Sequence, residues 1–264
     1  MSMELGVVAA VTIFIVMQVA FIFAVRFKRN DIADVVWGPG FVIVALSVIF
    51  WRLFVLHDFV WDLRNSSTLG LLVLWALRLS WHIGFRNLSH SVEDARYKKW
   101  REEWGEHWIL RSYLQVFLLQ GLLLLLIAIP VIWVMASPSQ EADGFFYAGL
   151  FVWVGGFVIE SVADHQLKLF KARKKPSGSI MNEGLWSWSR HPNYFGEVVQ
   201  WWGFFLLAVA LPSGLFTVIS PIAITFLILK VSGVPLLEKQ MENRPGFAEY
   251  KRRTSVFVLW PPRK

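Results

Sequence analysis

The sequence predicts an all-α integral membrane protein: a bundle of about seven transmembrane helices, with the N-terminus outside and the C-terminus cytoplasmic. Three observations lead there. Of 264 residues 56% are hydrophobic, including 15 Trp and 22 Phe, and the mean hydropathy is +0.50. That is more apolar surface than one water-soluble core normally buries. Apolar stretches recur near the ~20 residues that a spanning helix needs. Finally, 23 of the 26 Lys and Arg residues fall in alternate connections between those stretches, and basic residues in short loops stay cytoplasmic.

The first span runs from about Leu5 to Val25 and stops at Arg26, Lys28 and Arg29. Met1 to Leu5 carries Glu4 and no basic residue, so a cleavable signal peptide is not expected. The second, Val35 to Leu56, is preceded by Asp34 and interrupted early by Pro39 and Gly40. The third, Thr68 to Phe85, contains Arg78 and His82. Residues 86 to 112 then alternate charges with Trp100, Trp104 and Trp108 at four-residue spacing, which suits an amphipathic helix lying in the membrane interface. The fourth span, Tyr113 to Ala136, and the fifth, Gly144 to Ala163, flank "SPSQEADG", which has acids and no bases. Past the fifth span the chain stays polar and breaks at Pro176, Ser177 and Gly178. The sixth and seventh spans are Tyr194 to Leu211 and Leu215 to Val231. With no internal repeat and no long linker, residues 1–264 read as one membrane domain.

Composition also excludes chemistry. The chain has no Cys, which removes disulfides, thiolate metal sites and thiol nucleophiles. No Gly-rich phosphate loop is present. The six His residues show no HxxxH or HExxH spacing, so no metal is expected. The net charge of +7 is dealt among several loops, so it reads as a topology signal and not as a nucleic-acid surface. Nothing implies an obligate protein partner.

Ionisable residues at membrane depth are costly and point to function. Here they gather toward the cytoplasmic ends of the spans: Asp34, Arg78, His82, Glu160, Asp164, Glu197 and Glu238, with Gln200. Glu160, Asp164 and Lys168 share one helical face by their four-residue spacing, as do Asn193, Glu197 and Gln200. Two facing polar stripes result. Glu160, Lys168 and Gln200 equally suit plain pairing between helices. The run Lys171, Arg173, Lys174, Lys175 suits phosphate or lipid headgroups, while Asp164 and Glu197 would accept bonds from hydroxyl, amide or amino groups. Phosphates with ribose and amide describe a dinucleotide.

Three stretches, "GLWSWSRHPNYFGE" (184–197), "ADHQLKLF" (163–170) and "EYKRRTSVFVLWPP" (249–262), resemble the membrane-embedded steroid 5α-reductases (3-oxo-5-alpha-steroid 4-dehydrogenases), in their bacterial branch. The resemblance implies NADPH-dependent reduction of a carbon–carbon double bond conjugated to a ketone, in a lipophilic, steroid-like substrate drawn from membrane lipid. It places the cofactor in segments of about 160–200 and 238–262. Asp164, Arg190, His191, Asn193, Tyr194 and Glu197 would hold NADPH, with Arg173 and Lys175 on its phosphates and Tyr250 and Arg252 closing the site. It further implies a carboxylate from an early span and a Tyr from the next, both bonded to the substrate ketone. Asp34 matches the carboxylate. The third span has no Tyr, which leaves Arg78 and His82 as the donors there.

Hydride adds to the β-carbon of an enone only if charge moves onto the carbonyl oxygen, so a donor fixed near that oxygen is required. A protonated Asp34, or His82, is expected to serve, with Trp37, Phe41 and Trp81 lining an apolar substrate pocket. The resemblance to bacterial relatives suggests a bacterial inner membrane, with the cofactor site facing the cytoplasm. Two other readings fit parts of the sequence. One is a methyltransferase of the isoprenylcysteine carboxyl methyltransferase type, whose S-adenosylmethionine motif also resembles "RHPNYFG". The other is a transporter or receptor, whose polar residues would spread along a path.

Overall fold

The computed structural model describes residues 3–89, 93–173 and 178–263, apart from the side chains of 82–89. The chain divides into two compact units, Met1–Asp143 with Ala210–Thr217, and Gly144–Val209 with Val218–Lys264. The first contains α1 (Met3–Phe27), α2 (Ile32–Trp51), α3 (Leu63–Ser89), α4 (Ala95–Trp104), α5 (Trp108–Ser112) and α6 (Leu119–Ala136). The second contains α7 (Gly144–Ala172), α8 (Leu185–Trp188), α9 (Pro192–Val209), α10 (Ile219–Phe226), α11 (Val234–Met241) and α12 (Phe247–Arg253). Among the described residues there is no strand, only one isolated bridge between Ser189 and Ser255.

Five helical stretches among the described residues are long and apolar enough to cross a membrane: Met3–Phe27, Ile32–Leu56, Ala95–Ala136, Gly144–Ala172 and Gly214–Met241. The expected third and sixth spans fall on α3 and α9. Polar residues dilute both, Arg64, Asn65 and Arg78 in the one and Asn193, Glu197 and Gln200 in the other.

In the first unit α2 is central and packs against α1, α3 and α6. Helix α1 buries Ala9, Ala20 and Ala24 while it exposes Phe14, Ile15 and Ile22. Small residues inward and large apolar residues outward suit a helix whose surroundings are lipid, where close backbone approach gives the packing. The amphipathic segment forms α4, whose first turn is capped by Asp94 accepting from the Arg96 N–H at 2.9 Å. It breaks at Gly105, where φ is +52°. Trp100 and Trp104 therefore stack on α4 while Trp108 begins α5.

Buried charges tie the loops of this unit. The Arg52 side chain, 5% exposed, pairs with Asp58 at 2.9 Å and donates to the carbonyls of Met135 (3.0 Å) and Ser137 (2.7 Å). A cation there satisfies the last carbonyls of α6 and meets the negative end of its dipole. At the turn before α2, Arg29 holds Asp31 through two bonds of 3.0 and 2.7 Å. That hydrogen bond raises the Arg29 pKa above its ordinary value, against the opposing effect of burial. Asn30 N–H donates to buried Glu93 at 2.8 Å, and Arg101 closes on the same carboxylate at 2.8 Å.

In the second unit α7 and α9 meet along a seam of small residues. A methyl on Gly156 would lie 2.6 Å from the Gly196 carbonyl oxygen, and one on Gly196 would lie 2.6 Å from the Glu160 nitrogen. Nothing larger than hydrogen fits at this crossing. Gly196→Ala is expected to cost about 1–3 kcal/mol through overpacking. Gly155, one residue from the seam, has nothing within 4 Å of an added methyl, so Gly155→Ala should cost nothing. Thermal unfolding of the two variants in detergent makes the comparison, and equal midpoints would refute the close crossing.

Candidate functional site

The close crossing of α7 and α9 brings the two polar stripes into contact. Gln200 Nε2 donates to Glu160 Oε2 at 2.6 Å, both side chains being buried. Two turns nearer the start of α9, Asn193 Nδ2 donates to Asp164 Oδ1 at 3.1 Å, and this pair is half-buried. The deeper pair glues the helices, with Gln200 Oε1 buried and without a hydrogen-bond partner among the described residues. The shallower pair is the more exposed of the two.

Helix α9 opens with Pro192, whose fixed φ and missing N–H suit a first helical position. The residues just before it are held by the segment 247–260. Ser189 Oγ donates to the Phe257 carbonyl at 2.7 Å and accepts from His191 N–H at 3.1 Å. Arg190 N–H donates to the Ser255 carbonyl at 2.8 Å, and Trp260 N–H to the Trp188 carbonyl at 3.2 Å. Tyr250 donates its hydroxyl to the Trp186 carbonyl at 2.6 Å. Burial raises the Tyr250 pKa, so it stays a phenol.

The Arg190 guanidinium is the hub. Its Nε donates to Glu238 Oε1 at 2.7 Å, and its Nη1 donates to the carbonyls of Thr254 (2.7 Å) and Lys251 (3.1 Å). Lys251 Nζ lies 3.5 Å from the other Glu238 oxygen. His191, 1% exposed, stacks on the Tyr194 ring and sets its Nε2 3.5 Å from Glu238 Oε1. Burial lowers the His191 pKa, outweighing the pull of Glu238, so the ring is neutral at pH 7. The unfolded chain would take up this proton near the ordinary value of 6.5, and the folded protein only at lower pH. The stability that His191 contributes is therefore present above that value and is lost as pH falls below it. Melting in detergent should show a midpoint that declines on acidification from neutrality, and a smaller decline in His191→Gln. An identical pH profile in that variant would count against the assignment.

A second polar group sits in the first unit. Tyr97 donates its hydroxyl to Asp34 Oδ1 at 2.7 Å and accepts from Gln120 Nε2 at 3.1 Å, while Arg96 lies 3.5 Å from Asp34 Oδ2. A half-buried carboxylate, a buried phenol and an amide thus form one relay at the start of α2. Nearby in the chain, Trp37, Phe41 and Trp75 form an edge-to-face ladder with ring centroids 5.5 Å apart at each step. Trp81 is 70% exposed.

The profile of the family described as protein of unknown function DUF1295 matches residues 20–254. The chain belongs to this family. A 71-residue stretch is 34% identical to 3-oxo-5-alpha-steroid 4-dehydrogenase 1 of Mus musculus, covering 27% of this chain and 28% of that protein. The protein of the same name from Macaca fascicularis is 28% identical over 74 residues, 28% of each. An uncharacterized protein of Schizosaccharomyces pombe is 28% identical over 155 residues, which is 50% of this chain and 45% of that one. The chain thus spans less than half the length of each of these relatives. No solved structure matches it.

In this DUF1295 chain, Asp164, Arg190, His191, Asn193, Tyr194, Glu197, Tyr250 and Arg252 all lie in the second unit, and Asp34, Trp37, Phe41, Arg78 and Trp81 in the first. Arg173 is paired with Glu183 at 2.7 Å on the surface. Lys175 and the His82 side chain lie outside the described residues. Three features of these clusters escaped sequence reasoning: Tyr97, Gln120 and the Glu238 contact with Arg190. For Tyr97 a signal existed, since the resemblance calls for a Tyr after the carboxylate. The third span holds no Tyr, and Tyr97 lies beyond it, on α4.

Proposed function

We propose that this chain is a membrane-embedded, NADPH-dependent reductase that saturates the carbon–carbon double bond of a lipophilic enone, with the 4-ene of a 3-ketosteroid as the leading substrate. The observation that carries the proposal is the Asp34–Tyr97–Gln120 relay, which supplies the hydroxyl donor that enone reduction needs. Within this reading the chain is one seven-span domain with its N-terminus outside and its C-terminus inside a bacterial inner membrane, and the substrate arrives from the lipid.

The donor set of the second unit fits a dinucleotide. Asp164 and Glu197 accept from hydroxyls or a carboxamide, the Asn193 amide does both, and the ring of Tyr194 offers a face for stacking. Arg190 and the bases around it neutralise phosphate. NADPH, when bound there, supplies a hydride. The chain's own contribution is electrostatic. Tyr97 turns its O–H from Asp34 to the substrate carbonyl oxygen and stabilises the charge that develops as the β-carbon accepts hydride. Gln120, which donates to the phenol oxygen, holds the ring in place, and Asp34 fixes the resting direction of the hydroxyl. A proton from water then completes the α-carbon, giving the saturated ketone and NADP⁺.

Detergent-purified protein, NADPH and progesterone test this directly, with NADPH absorbance followed and the steroid product identified. Equal consumption of NADPH and appearance of the saturated ketone is the expected result. Binding of S-adenosylmethionine with no binding of NADPH would overturn it. Asn193→Ala is expected to weaken NADPH by about tenfold, the worth of one hydrogen bond to a bound group, with little change in turnover at saturation.

A further inference from the structure

A groove of about 530 Å³ in the second unit is lined by Arg190, Lys251, Arg252, Arg253 and Arg263, with Thr254, Trp260 and their neighbours, and by no carboxylate. Its size falls in the range of small-ligand sites. The acids closest to these cations are Glu238, paired with Arg190 and Lys251, and Glu249, paired with Arg252 and 4.0 Å from Arg253. Five cations against two carboxylates leave a surplus of three positive charges on one wall.

The main chain enforces that crowding. Arg263 N–H donates to the Arg253 carbonyl at 2.9 Å, and Arg253 Nε donates to the Arg263 carbonyl at 3.3 Å. Two arginines ten residues apart are thereby brought to the lining of one groove. Arg190, 6% exposed, also lines the groove. Its Nε and Nη1 are fully engaged, whereas its Nη2 has no hydrogen-bond partner among the described residues. Guanidinium groups present paired donors that match the oxygens of a phosphate.

We propose that this groove is a phosphate-binding site built by Arg253, Arg263 and the Nη2 edge of Arg190. The phosphate has two possible carriers. A second groove of about 590 Å³ shares Arg253 and Thr254 with the first and is lined by Ser179, Asn182, Ser187, Tyr250 and the carboxylate of Glu249, hydroxyl, amide and acid groups that suit the sugar and base of a nucleoside. On the other flank Val256, Val258 and Trp260 are exposed, which suits an acidic phospholipid whose acyl chains stay in the membrane. The nucleotide source rests on the reductase reading, and the phosphate site itself does not.

Calorimetric titration of the full chain in neutral detergent with adenosine 2′-monophosphate tests the first source. Nanodiscs of phosphatidylcholine with and without phosphatidylglycerol test the second, by thermal midpoint. Arg263→Gln is the informative variant, because the contacts of Arg263 with Arg253 are made by its main chain and survive the change. Saturable binding of the nucleotide that weakens about tenfold in Arg263→Gln, as loss of one charge-assisted bond implies, and further at higher salt, supports the site with a nucleotide in it. A phosphatidylglycerol-dependent rise in midpoint that Arg263→Gln abolishes supports it with a lipid. Absence of both effects, or their persistence unchanged in Arg263→Gln and Arg253→Gln, overturns the proposal. Neither readout uses turnover, so an inactive reductase and an empty phosphate site give different results.

Discussion

Tyr97→Phe is expected to lower the rate of enone reduction by on the order of 10²–10³-fold, the usual loss when one donor to a developing oxyanion is removed. The substitution takes away a single hydroxyl. The ring that remains keeps its edge-to-face contact with Trp100, 5.5 Å between centroids, and Asp34 keeps Arg96 at 3.5 Å, so the fold should survive. Because Tyr97 and Asp34 belong to the first unit and the proposed nucleotide residues to the second, NADPH affinity should be unchanged while turnover collapses. That split separates a lost donor from a misfolded protein. Stopped-flow single-turnover measurements with progesterone, alongside equilibrium binding of NADPH, read both quantities. A variant that reduces the enone at close to the wild-type rate would remove Tyr97 from the chemistry and return the role to Asp34, Arg78 or His82.

Glu238→Ala should be the most destabilising single change in the second unit. It strands the Arg190 guanidinium, 7% exposed, without its carboxylate, and breaking a buried pair from one side costs about 3–5 kcal/mol. Lys251 and the His191 ring lose the same partner. Glu238→Gln should cost less, since an amide oxygen still accepts from Arg190 Nε. The double change Arg190→Met with Glu238→Leu should recover part of the loss, because neither charge is then left buried alone. Thermal unfolding of the four proteins in one detergent ranks them. If Glu238→Ala melts with the wild type, Arg190 is held by the Lys251 and Thr254 carbonyls alone.

Much of the helical organisation was legible because periodicity and hydropathy act locally. The run Leu5 to Val25 could only be an apolar helix, and α1 covers it. The polar stripes were legible for the same reason: a four-residue spacing places Glu160 with Asp164, and Asn193 near Glu197, whatever lies opposite. That the stripes meet depends on Gly156 and Gly196, which looked unremarkable in sequence because their role is to be absent from a contact. Relations between distant segments were not legible. Nothing local joins Tyr97 to Asp34 across 63 residues, or Arg190 to Glu238 across 48. The span count meets the converse difficulty. α3 and α9 combine apolar length with polar duties, and no hydropathy threshold separates a short span from a half-buried site helix.

The order in which the chain is made adds a final consequence. Ser189, Arg190 and Trp186 take their partners from Phe257, Thr254 and Tyr250, 64 to 68 residues further on. A ribosome that has released α9 has therefore delivered the motif without the backbone that holds it. Until residue 257 emerges, Ser189 Oγ, the Arg190 donors and the Trp186 carbonyl must be satisfied by water, since polar groups left bare in an apolar setting are too costly to persist. The segment from Trp186 to His191 must then close last, over a loop whose entropy is recovered only when the distant contacts form. A frameshift after Gly246 would leave every apolar helix through α10 in place and still deliver a protein whose arginine hub had never assembled.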